Sequence, residues 1–143
     1  MAVEYSYPLV QTAVAVDENV LFLNGNRCCK KGYIVHNDSS GIFRIKGDPR
    51  SCKTIYKVHF NANIAVSAGG TVGEISVALV QNGEVLRNAV GTVTPTVAEA
   101  FFNTGFETFI ELPCGCCDTI SVRNISDTPI DVINANIIID RIA

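Results

Sequence analysis

From Tyr56 the chain alternates with a period of two. Tyr56, Val58, Phe60, Ala62, Ile64 and Val66 fall on one side, and Lys57, His59, Asn61 and Asn63 on the other. Successive side chains of a strand point to opposite faces, whereas a buried helical face needs apolar residues three and four apart. The segment is therefore a long, half-buried β-strand. The same period returns downstream. Ile75, Val77 and Leu79 alternate with Glu74, Ser76 and Ala78, Thr108, Ile110 and Leu112 with Glu107, Phe109 and Glu111, and Ile120 and Val122 with Thr119, Ser121 and Arg123. Asn82-Gly83 is a strong hairpin signal, because a tight primed turn needs positive φ at both central residues. Further strands are expected near residues 9–16, 19–23, 33–36, 41–45 and 130–142, and 124–129 reads as a turn. Only residues 97–103, between Thr94-Pro95-Thr96 and Gly105, admit a short helix. Short strands broken at even intervals by turn residues indicate an all-β sandwich or barrel.

A chain of 143 residues fits one domain, long enough to bury a core without disulfides or a metal. The expected division is an arm at residues 1–16, mixed in polarity and ordering on docking, followed by a single β-sandwich at 17–143. Hydrophobic residues make up 48% and charged ones 17%, so apolar surface is left over for a partner. The net charge is −3 and the Lys and Arg are scattered. Nucleic-acid binding is disfavoured, because phosphate contacts need a basic surface. The apolar runs are too short for a membrane-spanning helix. Met1-Ala2-Val3-Glu4-Tyr5 has neither the basic nor the apolar region of a signal peptide, so synthesis in a cytoplasm is expected.

The last strand breaks the alternation. Ile133, Ala135, Ile137 and Ile139 form one row, while Ile130, Val132, Ile138 and Ile142 nearly complete the other. A strand that is apolar on both faces needs cover on both. In a two-sheet sandwich the second cover is a sister subunit, which puts Ile133, Ala135, Ile137 and Ile139 at an interface between copies. Leaving such side chains in water would forgo about 1.5–3 kcal/mol each. The alternative is a bulge at Asn134 that swaps which row faces the core.

Three stretches carry a family likeness: Gly41-Ile42-Phe43-Arg44-Ile45 followed by residues 56–66, then Ile75 through Val85, then the terminal Asn136-Ile137-Ile138-Ile139-Asp140-Arg141-Ile142. Together they resemble the trimeric jelly-roll modules of the tumour necrosis factor and complement globular-head superfamily. The likeness is closest to bacterial versions at the tips of exosporium glycoproteins and to prophage virion surface or head-fibre proteins. It covers roughly residues 40–143. It implies an antiparallel two-sheet jelly roll of about eight to ten strands, forming a homotrimer with the last strand near the threefold axis. The chain has no Gly-X-Y region and carries six cysteines, which shifts the expectation from a spore filament towards a capsid or tail attachment.

The cysteines are Cys28, Cys29, Cys52, Cys114, Cys116 and Cys117. Three readings stand: disulfides within or between subunits in an oxidising setting, a zinc site, or inert thiols. Zinc is disfavoured by spacing, since structural sites use pairs separated by two to four residues. Six cysteines allow 15 pairings, among which sequence does not choose. His36 and His59 fall on expected strands, His59 on the polar row. Cys52 with His59 is the only nucleophile-and-base pair to consider, and nothing local supplies an oxyanion site. No catalytic residue, metal ligand or cofactor is assigned.

The expected function is structural and non-enzymatic: a homotrimer on a virion surface, as capsid decoration or head fibre, partnered by a major capsid protein or another particle component. The competing reading is a receptor- or glycan-binding jelly roll acting through its end loops, or a spore-surface protein. Lack of Trp removes the usual sugar-stacking platform from a host-surface glycan site.

Overall fold

A computed structural model describes residues 2–27 and 33–143, so Cys28 and Cys29 lie outside the described residues. Eleven strands follow one another: β1 (Ala2–Tyr7), β2 (Gln11–Val14), β3 (Leu23–Arg27), β4 (Ile34–His36), β5 (Ile42–Lys46), β6 (Lys53–Val66), β7 (Ile75–Gln81), β8 (Glu84–Val93), β9 (Phe102–Pro113), β10 (Cys117–Asn124) and β11 (Ile130–Arg141). One sheet runs β3-β1-β11-β6-β9, with β2 also paired to β11, and the other runs β4-β5-β10-β7-β8. The strand pairings are antiparallel. The fold is an antiparallel two-sheet sandwich, as the alternation indicates, and a jelly roll, as the resemblance implies.

Local chemistry accounts for the connections. Asn82 and Gly83 both take positive φ (51° and 83°) and close the β7–β8 hairpin, the primed turn that suits the twist of two adjoining strands. Residues 97–101 form no helix. The N–H of Glu99 donates to the Val66 carbonyl at 2.8 Å, tying this connection to the end of β6, and β9 begins at Phe102.

The inward rows of both sheets make one core. Tyr5, Phe22, Phe43, Tyr56 and Phe60 are fully buried in it. Phe22 and Phe43 approach at 5.4 Å, and Phe60 stacks on Phe106 at 5.2 Å. His36 joins this aromatic group. Its ring stacks on Phe43 at 4.4 Å, and its Nε2 lies 2.7 Å from the Ser40 carbonyl. Burial lowers its pKa from the ordinary 6.5, because a buried imidazolium loses solvation.

Two expectations need correction. Within residues 2–16, expected as an arm outside the sandwich, two strands join the first sheet. β1 lies between β3 and β11, paired from Ala2↔Asp140 to Tyr7↔Ala135, and β2 also pairs with β11. Val3 and Tyr5 are 1% and 0% exposed, so β1 contributes to the core.

The second correction concerns the last strand. The register between β11 and β6 shifts between Ile133 and Asn136, and Asn134 sits at φ 57°. Asn is among the few non-glycine residues that tolerate this left-handed conformation. One extra residue reverses the parity: Ile130 and Val132 point inward before it, and Ala135, Ile137 and Ile139 after it. At 1%, 0% and 0% exposed in the single chain, Ala135, Ile137 and Ile139 have no surface left to offer a sister copy. Ile133 alone of the four faces outward, half-buried.

Two predictions follow from this packing. A methyl built on Gly105 would meet the Phe60 carbonyl oxygen of the neighbouring β6. Gly105→Ala is therefore expected to cost about 1–3 kcal/mol in urea denaturation. His36 favours the neutral form when folded, so below 6.5 the unfolded chain takes up that proton first. Stability is present above this window and falls as pH drops from 6.5 towards the lower folded value. Melts between pH 7.5 and 5 should show the decline, and His36→Gln should flatten it.

Candidate assembly face

The outward face of the first sheet is read directly from the registers. One row across it is Ala2, Asp140, Lys57 and Phe109. The next is Glu4, Ile138, His59 and Glu107, and the third is Ser6, Asn136, Asn61 and Gly105. Directly opposed residues share a face, so these rows define one surface. β6 supplies it through the same alternation that buries Tyr56, Val58 and Phe60 on the other side.

Lys57, His59 and Glu107 cluster on this surface. Lys57 Nζ lies 3.4 Å from Glu107 Oε1, and His59 Nδ1 lies 3.3 Å from Glu107 Oε2. Lys53 and Glu111 form a looser pair at 3.7 Å. The Asn103 side-chain N–H₂ donates to the amide oxygens of Asn61 at 2.7 Å and Asn63 at 3.1 Å. Between these groups lies apolar surface. Ile138 and Ile133 are half-buried, and Phe109 is 62% exposed. Ile138 stands with Lys57, His59, Glu107 and Asp140 around a cleft of about 220 Å³. Paired charges around aliphatic and aromatic side chains suit burial against another protein surface, where aromatic residues dominate binding energy.

Of the four residues expected at an interface, only Ile133 reaches this face. The sequence reading had Ile138 in the row assigned to the core, a consequence of the unplaced bulge. Phe109 was legible as the one aromatic residue in the polar row of β9, between Glu107 and Glu111.

The other candidate groups gather elsewhere. Cys52, Cys114, Cys116 and Cys117 are exposed free thiols around the turn from β9 to β10 and the start of β6. Among the described residues, no three His, Cys, Asp or Glu side chains stand close enough to share a metal ion. Cys52 and His59 do not meet. Seven residues apart along an extended segment, they are separated by roughly 20 Å, and His59 is instead beside Glu107.

An electrostatic clasp lies near the cysteines. Asp48 Oδ1 accepts the Arg50 backbone N–H at 2.9 Å, and Asp48 Oδ2 accepts from Arg141 Nη2 at 3.0 Å. The Arg50 amide first, and Arg141 after it, hold this carboxyl below its ordinary pKa. The Arg141 guanidinium also lies 5.2 Å from the centre of the Tyr33 ring. Beneath it, the Tyr56 hydroxyl donates to the Lys46 carbonyl at 2.7 Å, and burial pushes that phenol up to about 12. At the opposite end, fully buried Asn124 donates to the carbonyls of Val14 (3.0 Å) and Thr128 (3.1 Å), while its Oδ1 accepts from the Ser126 N–H at 2.9 Å. The turn read at 124–129 is thus also a tie between loops.

No protein-family model and no curated protein sequence matches this chain. Solved structures do. The globular domain of zebrafish complement 1qA protein superposes with a TM-score of 0.70 at 13% identity, covering 99% of this chain and 97% of that one. Eiger TNF from S. frugiperda gives 0.66 at 12% identity, covering 99% and 93%. Murine APRIL gives 0.59 at 13%, covering 97% and 99%. At these identities the likeness is one of fold: the chain is a tumour-necrosis-factor and C1q-like jelly roll.

The ion pairs on the outward face involve side chains that are about half exposed, 41% for Lys57 and 50% for Glu107. Such pairs add little to stability. Glu107→Gln should therefore change the unfolding free energy by less than about 1 kcal/mol in urea denaturation, leaving the face free to be altered without loss of the fold.

Proposed function

We propose that this chain is a non-enzymatic structural protein that forms a homotrimer through the outward face of the first sheet. We place the trimer on a virion surface, as a capsid-decoration or head-fibre component partnered by the major capsid protein or another particle component. The observation that carries the reading is the set of apolar side chains left outward on that sheet. Ile133, Ile138 and Phe109 lie among charges already paired within the chain. Desolvating paired charges costs less than desolvating lone ones, so a second copy can cover this surface at modest cost. β9 is the terminal strand of its sheet, which gives a neighbouring copy lateral access to Phe109. The trimer is supported by the TNF- and C1q-like fold and by the resemblance noted in the sequence, which implies a last strand near a threefold axis. The virion setting rests on that resemblance alone. Since β1 is built into the sheet, docking on the particle falls to the end loops.

Mass measurement in solution tests the assembly. Native mass spectrometry should give three times the 15.4 kDa chain mass. Ile138→Asp with Phe109→Asp should give folded monomers, judged by an unchanged circular dichroism spectrum. A wild-type protein that stays monomeric at micromolar concentration overturns the trimer. Antibody labelling of intact particles that leaves their surface bare overturns the setting.

A further inference from the structure

The pairing of β6 with β9 ends at Lys53 opposite Pro113. Cys52 and Cys114 are the next residues beyond this last pair, Cys52 just before β6 and Cys114 in the turn after β9, where the same antiparallel register would set them opposite each other. Directly opposed residues in such a pair have Cα atoms about 4.5–5.5 Å apart and side chains on one face. That spacing falls within the range a disulfide spans.

Hydrogen bonds order the backbone on both sides of this point. The loop before β6 is folded back by the Asp48 N–H donating to Thr54 Oγ1 at 2.7 Å and the Ser51 N–H donating to the Asp48 carbonyl at 3.1 Å. The turn after β9 is set by the Cys116 N–H donating to the Pro113 carbonyl at 3.2 Å. The Gly47 N–H donates to the Cys116 carbonyl at 2.7 Å. The Cys114 thiol is directed at this same loop, its Sγ 3.0 Å from the Pro49 carbonyl oxygen. Both thiols are exposed and free, so an oxidant reaches them. The neighbouring thiols are worse placed. Cys117 is paired opposite Lys46 in the second sheet, and a bridge between adjacent Cys116 and Cys117 would be strained.

We propose that Cys52 and Cys114 oxidise to an intrachain disulfide joining the start of β6 to the end of β9. With a small-molecule disulfide such as oxidised glutathione, one cysteine thiolate attacks a glutathione sulfur and releases one glutathione thiolate. The second cysteine thiolate then attacks the protein sulfur of the mixed disulfide and releases the other. The two cysteine protons end on two molecules of reduced glutathione, and one disulfide replaces another. The bridge is independent of the trimer. It locks together the ends of the two strands whose outward side chains build the proposed assembly face, and it leaves Cys116 and Cys117 reduced.

The test uses the full chain with Cys116→Ser and Cys117→Ser, incubated with oxidised glutathione, digested with trypsin without reduction and analysed by mass spectrometry. The peptide of residues 51–53 should appear joined to the peptide of residues 88–123, and in monomeric protein on a denaturing non-reducing gel. Oxidation should raise the melting temperature by on the order of 10 °C, a shift abolished by Cys52→Ser. Recovery of Cys52 and Cys114 as free thiols, or joined to any other cysteine, overturns the proposal.

Discussion

The first sheet is organised by β11. It pairs with β1, β2 and β6, so the chain's two ends and its longest strand meet on one backbone. Its inward side chains Ile130, Val132, Ala135, Ile137 and Ile139 all enter the core. Burying such aliphatic groups stabilises by about 1.5–3 kcal/mol for each full-sized side chain. A strand with strict alternation would have turned half of them outward. The left-handed Asn134 supplies the one-residue offset that keeps both halves of the row inside.

That offset also decides what the molecule can present. With the isoleucine row consumed internally, the outward face of the sheet is a mixture of paired charge, asparagine amides and a few apolar groups. Association through such a surface relies on Phe109, Ile138 and Ile133 being covered while Lys57, His59 and Glu107 keep their partners. This is a different basis for assembly from a strand with hydrocarbon on both sides. It resembles the interfaces of proteins that are stable alone, which have polar surroundings and a small apolar centre.

The two ends of the sandwich are held by different chemistry. Around Asn124 the ties are neutral hydrogen bonds among buried groups, which leave no lone polar atom on that side chain's amide. At the cysteine end they are ionic, with Asp48 gathering Arg50 and Arg141, the latter over the Tyr33 ring. Chain segments far apart in sequence are joined there: Asp48 lies before β6 and Arg141 closes β11. Among the described residues, neither end brings together a nucleophile, a base and a stabilising donor, the combination that acyl- or group-transfer chemistry requires.

Much of the fold was legible in the residues alone. Period-two alternation in β6, β7, β9 and β10 and the Asn82-Gly83 turn specify antiparallel strands through local geometry, and local geometry is written in neighbouring residues. The burial of β1 was hidden because Val3 and Tyr5 make only one and a half periods, too few to separate from a mixed tail. The bulge was present in the sequence only as an ambiguity between two isoleucine rows. Which row faces inward depends on the register with β6, a contact between residues far apart in the sequence. The same is true of Glu107 beside His59 and of Asp48 beside Arg141. Residue types and spacing determined that this chain forms a layered sheet protein with a surplus of apolar side chains. Only the tertiary pairing decided where the surplus points, because one inserted residue reverses every side chain beyond it.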